Sequence, residues 1–449
     1  MELSSLIPQF QSGAMTVLAF VIALSVIVAI HEYGHYIVGR WSGIHAEVFS
    51  LGFGPVIYSR FDKRGTKWQI AAIPMGGYVR FKGDADAASA AKDAEAMSAL
   101  SKEELRSTMH GAPLWARAAT VAAGPVFNFV LSILIFAGVI LSQGVVGEKL
   151  IVGEMRPLPV TEFSLQSGDT ILSVAGAELP NSENGIDGDS FVENLPRQAL
   201  LDYKVERAGS ETIVSGPYLY PPIVLQLSPQ SAAYSTGLKQ GDVITAIDGE
   251  SIFAFRDLKE SVEGSDGRVL ALTIWRAGDF LEFDLTPRRV DEPQDGGGFV
   301  TQWRIGIAGG TAFDPAREAV GFSDAVTGGV SQTYRIIKGS LSGLYHMVTG
   351  AISSCNLSGP IGIAQTSGAM ASQGTQNFIW FIAVLSTAIG LLNLFPIPVL
   401  DGGHLVFHAY EAVSGKPPKE SVMRIMMTVG LVLVLSLMVF GLTNDLFCP

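Results

Sequence analysis

An apolar run that ends in two histidines constrains this chain most. Residues 15–30 carry no charge, and the next five, His31 to His35, read H-E-Y-G-H. On a helix, H-E-x-x-H places both histidines on one face, one turn apart, as zinc ligands, with the glutamate as general base on a zinc-bound water. Ionisable groups in a membrane-length apolar segment are costly and by default mark a functional site. We therefore predict His31 and His35 as metal ligands and Glu32 as the catalytic base; the alternative is a chance match at a helix end.

The composition points to an integral membrane protein that carries soluble parts. Of 449 residues, 48% are hydrophobic and only 16% are charged, against about 25% charged in soluble domains. The net charge of −12 and the lack of a dense basic cluster argue against nucleic acid as a partner. Two cysteines, Cys355 and Cys448, cannot form a disulfide framework or a cysteine zinc site. They could pair if both lay outside the membrane, but we expect them to be free or buried.

Apolar segments of spanning length predict four transmembrane helices, within residues 1–40, 115–143, 376–402 and 403–449. The first is expected to be retained rather than cleaved, because residues 1–39 contain no Lys or Arg. Basic residues follow the first segment at Arg40, Arg60, Lys63, Arg64, Lys67, Arg80 and Lys82, and the third at Lys416, Lys419 and Arg424. By the positive-inside rule these regions are cytoplasmic, so both termini and residues 145–310 lie outside.

The cytoplasmic region 41–114 is predicted to contain a membrane-associated β-region. Its strand-like runs are 48–51, 56–61, 68–73 and 78–81, and the turn 62–65 joins two of them. An open sheet edge there could bind an extended peptide. The alternative is a small soluble β-subdomain without a role in substrate handling. Residues 85–109 are expected to form a surface helix or a loop.

The second span opens with Gly124 and Asn128, which lie one turn apart on one helix face. Small and amide residues at such positions suit close packing between membrane helices. We interpret both as packing residues only.

An internal repeat lies outside the membrane. Residues 164–176 align with 237–249, and each copy carries Gly-Asp, an apolar strand and a turn glycine. This pattern resembles bacterial PDZ domains, which bind peptides by strand addition, and predicts two copies at 145–218 and 219–310. The first copy has Ser164 where the second has Gly237, and residues 181–189 are irregular, so its peptide groove is the weaker prediction. The alternative is that both copies act as steric bulk only.

Residues 316–350 show apolar positions at helical spacing and predict an amphipathic helix on the outer membrane interface. Packing under the repeats would explain the same pattern. Residues 356–363 are expected to form a loop.

The third apolar segment carries the second chemical motif, from Asn393 to His404. Pro396 and Pro398 must break the helix, and broken backbone at membrane depth is tolerated only where it is buried in protein or lines a cavity. Asp401 and His404 emerge on the same side as H-E-x-x-H, so either could be the third zinc ligand. We favour Asp401, because carboxylate is a regular third ligand. Asn393 either donates to the substrate carbonyl or packs between helices. The other histidines, His45, His110, His346 and His408, are expected to be structural or solvated.

Together, the two motifs and the tandem repeat resemble the site-2 protease family of intramembrane zinc metalloproteases, in the branch of the bacterial regulators of sigma-E protease. The resemblance implies a protein of the bacterial inner membrane that carries out intramembrane cleavage of single-span proteins, such as anti-sigma factors already trimmed by an upstream site-1-type protease. It implies zinc held by His31, His35 and Asp401, with Glu32 as base. It further implies that Asn393 and Pro396 place the substrate. The segment around Gly76 and Gly77 resembles the family's substrate clamp, and the PDZ pair its size filter.

The predicted fold class is thus an α-helical membrane protein with four transmembrane helices, a membrane-associated β-region and two extracytoplasmic PDZ-like α+β domains. Two other functions remain open. A membrane-tethered PDZ binding module with an inactive metal site would not need Glu32. A transporter-like protein could use the broken helix as an ion site, but the sequence shows no inverted repeat of that element.

Overall fold

The computed structural model describes residues 3–84, 100–160, 162–180, 188–294 and 298–448. The chain divides into two compact units. The membrane unit comprises residues 1–139, 322–345 and 354–448, and the repeat unit comprises 140–321 and 346–353.

The described helices are α1 Leu3–Trp41, α2 Lys102–Arg106, α3 Leu114–Gln143, α4 Gly188–Glu193, α5 Ala232–Thr236, α6 Phe255–Glu263, α7 Phe322–Val348, α8 Pro360–Ser372, α9 Thr375–Asn393, α10 Asp401–Ser414 and α11 Glu420–Phe447. Four of them are long and apolar enough to cross a membrane: Gly13–Trp41 of α1, and all of α3, α9 and α11. The four predicted spans are therefore present as helices.

The described strands of the membrane unit are β1 Ala46–Phe61 and β2 Lys67–Phe81, and the others are β3 Val145–Val146, β4 Val152–Met155, β5 Thr170–Val174, β6 Ala177–Glu178, β7 Leu200–Arg207, β8 Ser210–Pro217, β9 Gln226–Leu227, β10 Val243–Ile247, β11 Glu250–Ser251, β12 Leu270–Arg276, β13 Asp279–Leu285, β14 Arg288–Pro293, β15 Phe299–Arg304, β16 Ile307–Ala308, β17 Phe313–Pro315 and β18 Arg317–Glu318.

The hairpin β1–β2 folds back on itself into a curled sheet. Phe49 pairs with both Trp68 and Val79, so the start of β1 lies between the two ends of β2. The resulting order is 56–61, 67–71, 46–51 and 77–81. All four predicted strand-like runs are therefore strands, although they belong to two continuous elements. The run 77–81 pairs with β1 only, and so forms one edge of this sheet.

The third span ends at Asn393, earlier than the predicted boundary of 402. Pro396 and Pro398 cannot continue a helix, because proline lacks the backbone N–H that the helix needs, and residues 394–400 form a non-helical link. The chain then enters α10, which replaces part of the expected cytoplasmic loop. A Cβ on Gly402 would lie 2.3 Å from the backbone oxygens of Leu394 and Phe395, so glycine lets the link pack directly on α10.

The expectation of two free or buried cysteines is wrong. Cys355 and Cys448 form a disulfide across 93 residues of sequence. The same end of α11 is joined to the start of α8 by Asp445, whose carboxylate accepts from the backbone N–H groups of Gly359 and Gly362 at 2.8 and 2.9 Å. Pairing was missed because it depends on the long-range approach of the end of α11 to the segment before α8, which the spacing of the cysteines does not encode.

The predicted loop 356–363 is also partly wrong, since α8 begins at Pro360. Proline at the first helical position loses no hydrogen bond and favours helix initiation. In α8, a Cβ on Gly368 would lie 2.3 Å from the side chain of Thr16, so this short helix packs tightly on α1. The helix predicted within 316–350 is present as α7. The predictions for 85–99 and 181–187 lie outside the described residues.

Two similar modules form the repeat unit. Their sheets have the orders β6-β5-β7-β8 and β11-β10-β12-β13, all antiparallel, with α4 and α6 at matching points of the chain. The hydrophobic core of one sheet contains Tyr203 and Val205, and that of the other contains Leu272 and Ile274, all fully or almost fully buried. The internal repeat seen in the sequence is therefore a structural repeat, and its assignment as PDZ stays a prediction.

The modules differ before their Gly-Asp motifs. In the second, α5 ends at Gly237 with φ of +91°, a left-handed conformation that favours glycine. In the first, the described residues just before Ser164 form no helix. The Ser164–Gly237 difference in sequence thus reflects a helix end that only the second module has.

Candidate metal centre and active site

Three side chains from two distant parts of the sequence converge in the membrane unit. His31 and His35 lie one turn apart on α1, and their Nε2 atoms are 3.1 Å from each other. Oδ2 of Asp401, the first residue of α10, lies 3.1 Å from Nε2 of His31 and 3.5 Å from Nε2 of His35. The side chains are only 12%, 13% and 18% exposed. Among the described residues, these three form the only cluster of His, Cys, Asp and Glu with metal-site spacing.

The donor set fits a tetrahedral cation. Ligands about 2.0–2.1 Å from a tetrahedral zinc ion are about 3.3 Å apart, and the three observed separations of 3.1, 3.1 and 3.5 Å bracket that value. Oδ2 of Asp401 is buried and makes no hydrogen bond within the described chain. A buried carboxylate oxygen without a donor is costly, and a metal ion would satisfy it.

Helix α3 forms one wall of the site and contacts both histidines. Nδ1 of His35 lies 2.8 Å from the backbone oxygen of Thr120, and Nδ1 of His31 lies 3.1 Å from Nδ2 of Asn128. Between them, a Cβ on Gly124 would lie 2.3 Å from Nε2 of His35. The interpretation of Gly124 as a packing residue agrees with this close approach, whereas that of Asn128 as a packing residue only is wrong, because its amide contacts His31. The basis of both interpretations was the spacing within one helix, which does not reveal the histidines on the neighbouring helix.

Helix α10 carries Asp401 to the site and is tied to α3. The guanidinium of Arg117 donates to both carboxylate oxygens of Glu411, with N–O distances of 2.7 and 3.0 Å. Both side chains are largely buried, and such a bidentate pair is geometrically specific. The two partners are 294 positions apart in the sequence, so no local pattern predicts this contact.

A cavity of about 430 Å³ lies around the three convergent side chains. Glu32 lines it, as the H-E-x-x-H prediction requires, and so do Asn393, Gly77 and His404. Pro396 lies in the exposed part of the link and Gly76 lies beside Phe53; neither lines the cavity. His110 and His408, expected to be structural or solvated, also line it.

The β-hairpin approaches the site through its edge run 77–81. A Cβ on Gly77 would lie 3.1 Å from Cγ of Glu32. The backbone of Val79 is within hydrogen-bonding reach of the Glu32 carboxylate. A strand edge therefore lies directly beside the predicted base.

Known proteins share this organisation over almost the whole chain. The model of peptidase family M50 matches residues 19–437. A protein of Agrobacterium fabrum whose name describes a zinc metalloprotease is 36% identical over 431 residues, which cover 96% of this chain and 95% of that protein. The regulator of sigma-E protease RseP of Salmonella typhimurium is 32% identical over 453 residues, covering 95% of this chain and 97% of that protein.

These relatives are bacterial, and together with the four apolar helices they indicate a protein of a bacterial inner membrane. The matching family and relatives are named as peptidases or proteases, so these matches favour the enzyme over the PDZ binding module and the transporter-like protein that the sequence left open. Because the family match and the relatives extend over nearly its full length, the chain belongs to peptidase family M50, the site-2 proteases, and is a zinc-dependent metalloendopeptidase.

Proposed function

We propose that this protein cleaves a peptide bond within or near the transmembrane segment of single-span proteins, such as pre-trimmed anti-sigma factors. The observation that carries the proposal is the convergence of His31, His35 and Asp401 beside Glu32 in one cavity of the membrane unit. The relative named for regulation of sigma-E supports the substrate class.

In this proposal His31, His35 and Asp401 hold zinc, and Glu32 is the general base. Zinc held by these three residues would supply Lewis-acid chemistry, lowering the pKa of a water molecule to about 7 and polarising the scissile carbonyl. Glu32 takes a proton from the attacking water and delivers it to the leaving amine. Asn393, at the end of α9 and on the cavity wall, donates from its amide to the substrate oxygen as negative charge develops there. Pro396 helps place the substrate indirectly, by ending α9 before the link.

The edge run 77–81 of the β-hairpin is the proposed substrate clamp. A helical substrate hides its carbonyls in hydrogen bonds, so cleavage requires an extended segment. Strand addition at the edge that includes Gly77, with Gly76 at its entrance, would hold the substrate backbone beside Glu32. The two repeat modules are proposed as PDZ domains that exclude substrates not yet trimmed by an upstream protease.

Cleavage of a purified single-span anti-sigma-type substrate in detergent tests this function. We expect the wild type to cleave it and Glu32→Gln to lose activity by on the order of 10²–10⁴-fold, with bound zinc equal in both. Glu32→Gln keeps the shape of the side chain, so a matched zinc content isolates its role as base. Equal cleavage by both proteins would refute the role of Glu32, and absence of zinc from both would refute the metal site.

We further propose that both termini and the repeat unit face the periplasm. Lys416 and Lys419 precede α11 and Cys448 follows it, so the basic and disulfide-bonded ends of this span lie on opposite sides. Disulfides persist in oxidising compartments such as the periplasm, in agreement with the positive-inside rule. In Cys355→Ser, a membrane-impermeant maleimide should label Cys448 in cells with a permeabilised outer membrane. Labelling only after the inner membrane is lysed would reverse the orientation.

A further inference from the structure

The side chain of Asn128 is fully buried beside the metal site, yet only half of its amide is used. Nδ2 lies 3.1 Å from Nδ1 of His31, whereas Oδ1 has no hydrogen-bond partner among the described residues. A buried amide oxygen without a donor carries an uncompensated desolvation penalty, so this side chain calls for a physical explanation.

The neighbouring histidine shows what a zinc-binding ring requires. Nδ1 of His35 faces the backbone oxygen of Thr120, which can only accept. The proton of a neutral His35 ring therefore resides on Nδ1, and the lone pair of Nε2 points at the convergent site. Metal-bound histidines commonly donate their second ring N–H in this way, which fixes both tautomer and ring orientation.

His31 faces an amide N–H donor where His35 faces an acceptor. With Nδ2 of Asn128 donating to Nδ1, the proton of a neutral His31 ring would reside on Nε2, where it would block a metal bond. Rotation of the Asn128 amide by 180° about its Cβ–Cγ bond exchanges oxygen and nitrogen at this contact. Oδ1 would then accept from Nδ1 of His31, and the orphaned oxygen would gain its donor.

We infer that Asn128 is a positioning residue that accepts a hydrogen bond from Nδ1–H of His31 and so holds the tautomer in which Nε2 binds zinc. The inference rests on the proposed ligand role of His31. It makes α3 a common support for both histidines, since Thr120, Gly124 and Asn128 lie four residues apart on one face of the helix.

Asn128 is itself held firmly by α9. Its backbone oxygen accepts hydrogen bonds from Oγ of Ser132 at 3.0 Å and Oγ of Ser386 at 2.9 Å. Oγ of Ser132 also lies 2.8 Å from the backbone oxygen of Ala383. These buried contacts fix the Asn128 backbone between two spans. The side-chain amide can therefore rotate about its Cβ–Cγ bond but has little other freedom.

The test is zinc affinity, measured on the full-length protein in detergent by competition with a chromogenic chelator. Asn128→Leu removes the acceptor at similar volume, and we expect a roughly 10–100-fold loss of zinc affinity, as for other partners of zinc-bound histidines. Asn128→Asp supplies an acceptor and no donor, so it should bind zinc at least as tightly as the wild type. Ser367→Ala is the matched control, because it removes a fully buried polar side chain in α8 that bonds the backbone oxygen of Ile363 in its own helix, and it should stay within about twofold of the wild type.

Two results would overturn the inference: wild-type affinity in Asn128→Leu, or an equal loss in Asn128→Leu and Asn128→Asp. His31→Ala separates this failure from that of the proposed function, since it must lose zinc if His31 is a ligand. Cobalt substitution adds a second readout: the absorption bands of the Co²⁺ form should change in Asn128→Leu and keep their positions in Ser367→Ala. If Asn128→Leu does not fold, zinc affinity in Asn128→Asp relative to the wild type tests the inference. If Asn128 only packs, the added buried charge should weaken zinc binding. If Asn128 is the acceptor for His31, zinc binding should be at least as tight.

Discussion

Asp242 in the second repeat module and Asp401 in the membrane unit are both largely buried, but their oxygens face opposite kinds of neighbours. Asp242 accepts from Nε and Nη2 of Arg276 and from the backbone N–H of Lys239, each at 2.7 Å. Oδ2 of Asp401 faces two histidine ring nitrogens and makes no hydrogen bond in the described structure. One carboxylate has every donor it needs, and the other lies among atoms that bind metals.

The first module repeats the satisfied arrangement. Asp169 accepts from Nε and Nη2 of Arg207 at 2.6 and 2.7 Å and from the backbone N–H of Gln166 at 2.9 Å. The Gly-Asp motif of both repeats is thus explained by a structural ion pair between a strand and the turn before another strand. Burial of an aspartate therefore does not by itself identify a functional site; the nature of its neighbours does.

The largest effect should follow from Asp401→Asn, which keeps the side-chain shape and removes the negative charge of the proposed zinc ligand. We expect zinc affinity to fall by more than the roughly 100-fold typical of a partner outside the ligand set. Cleavage should fall by on the order of 10³-fold, equivalent to several kcal/mol of transition-state stabilisation. Zinc content and substrate cleavage measure both. The thermal unfolding of the repeat unit, which contains none of the three clustered residues, should not change. Zinc binding at wild-type affinity in Asp401→Asn would show that Asp401 is not a ligand.

Asp242→Asn should give the opposite result. The variant leaves Arg276 without its anionic partner, so we expect the second module to lose about 3 kcal/mol of unfolding free energy. Limited proteolysis of the full chain under increasing denaturant would report this loss, while bound zinc should equal that of the wild type. If the module keeps its stability, or if zinc is lost with it, the division between a structural and a metal-binding aspartate fails.

A smaller effect concerns the first module in acid. Hydrogen bonds from the Arg207 guanidinium hold the pKa of Asp169 below its ordinary value. A carboxylate whose folded-state pKa is lowered adds stability that is fully present above its unfolded pKa of about 3.9 and is lost as the pH falls through the folded pKa. Protease resistance of this module should therefore decline below about pH 4.

Arg207→Gln provides the control for the acid effect. Without the guanidinium the folded-state pKa of Asp169 should return toward its ordinary value, so the variant should be less stable at neutral pH and lose less stability on acidification. Parallel acid profiles for wild type and Arg207→Gln would show that this ion pair does not contribute to the pH dependence.

Local patterns in the sequence predicted most of the elements. The four spans, the four strand-like runs of 46–81, the helix within 316–350 and the repeat were all visible, because apolar periodicity is a property of a few neighbouring residues. Helix α8 was missed because its small and apolar residues show no amphipathic pattern. The third span also ends earlier than predicted, at Asn393. A proline clashes with the carbonyl four residues before it and disfavours helical backbone at the residue just before it, so a helix ends ahead of the proline itself.

The H-E-x-x-H motif by itself predicted the type of chemistry, since the helical repeat places its two histidines one turn apart on one face and its glutamate directly after the first. Only the tertiary structure decided that Asp401 rather than His404 meets the histidines, that Asn128 contacts His31, and that Cys355 pairs with Cys448. Each of these depends on how helices distant in sequence pack against one another. Packing is set by the fit of whole helix faces, and no local spacing of residues records it.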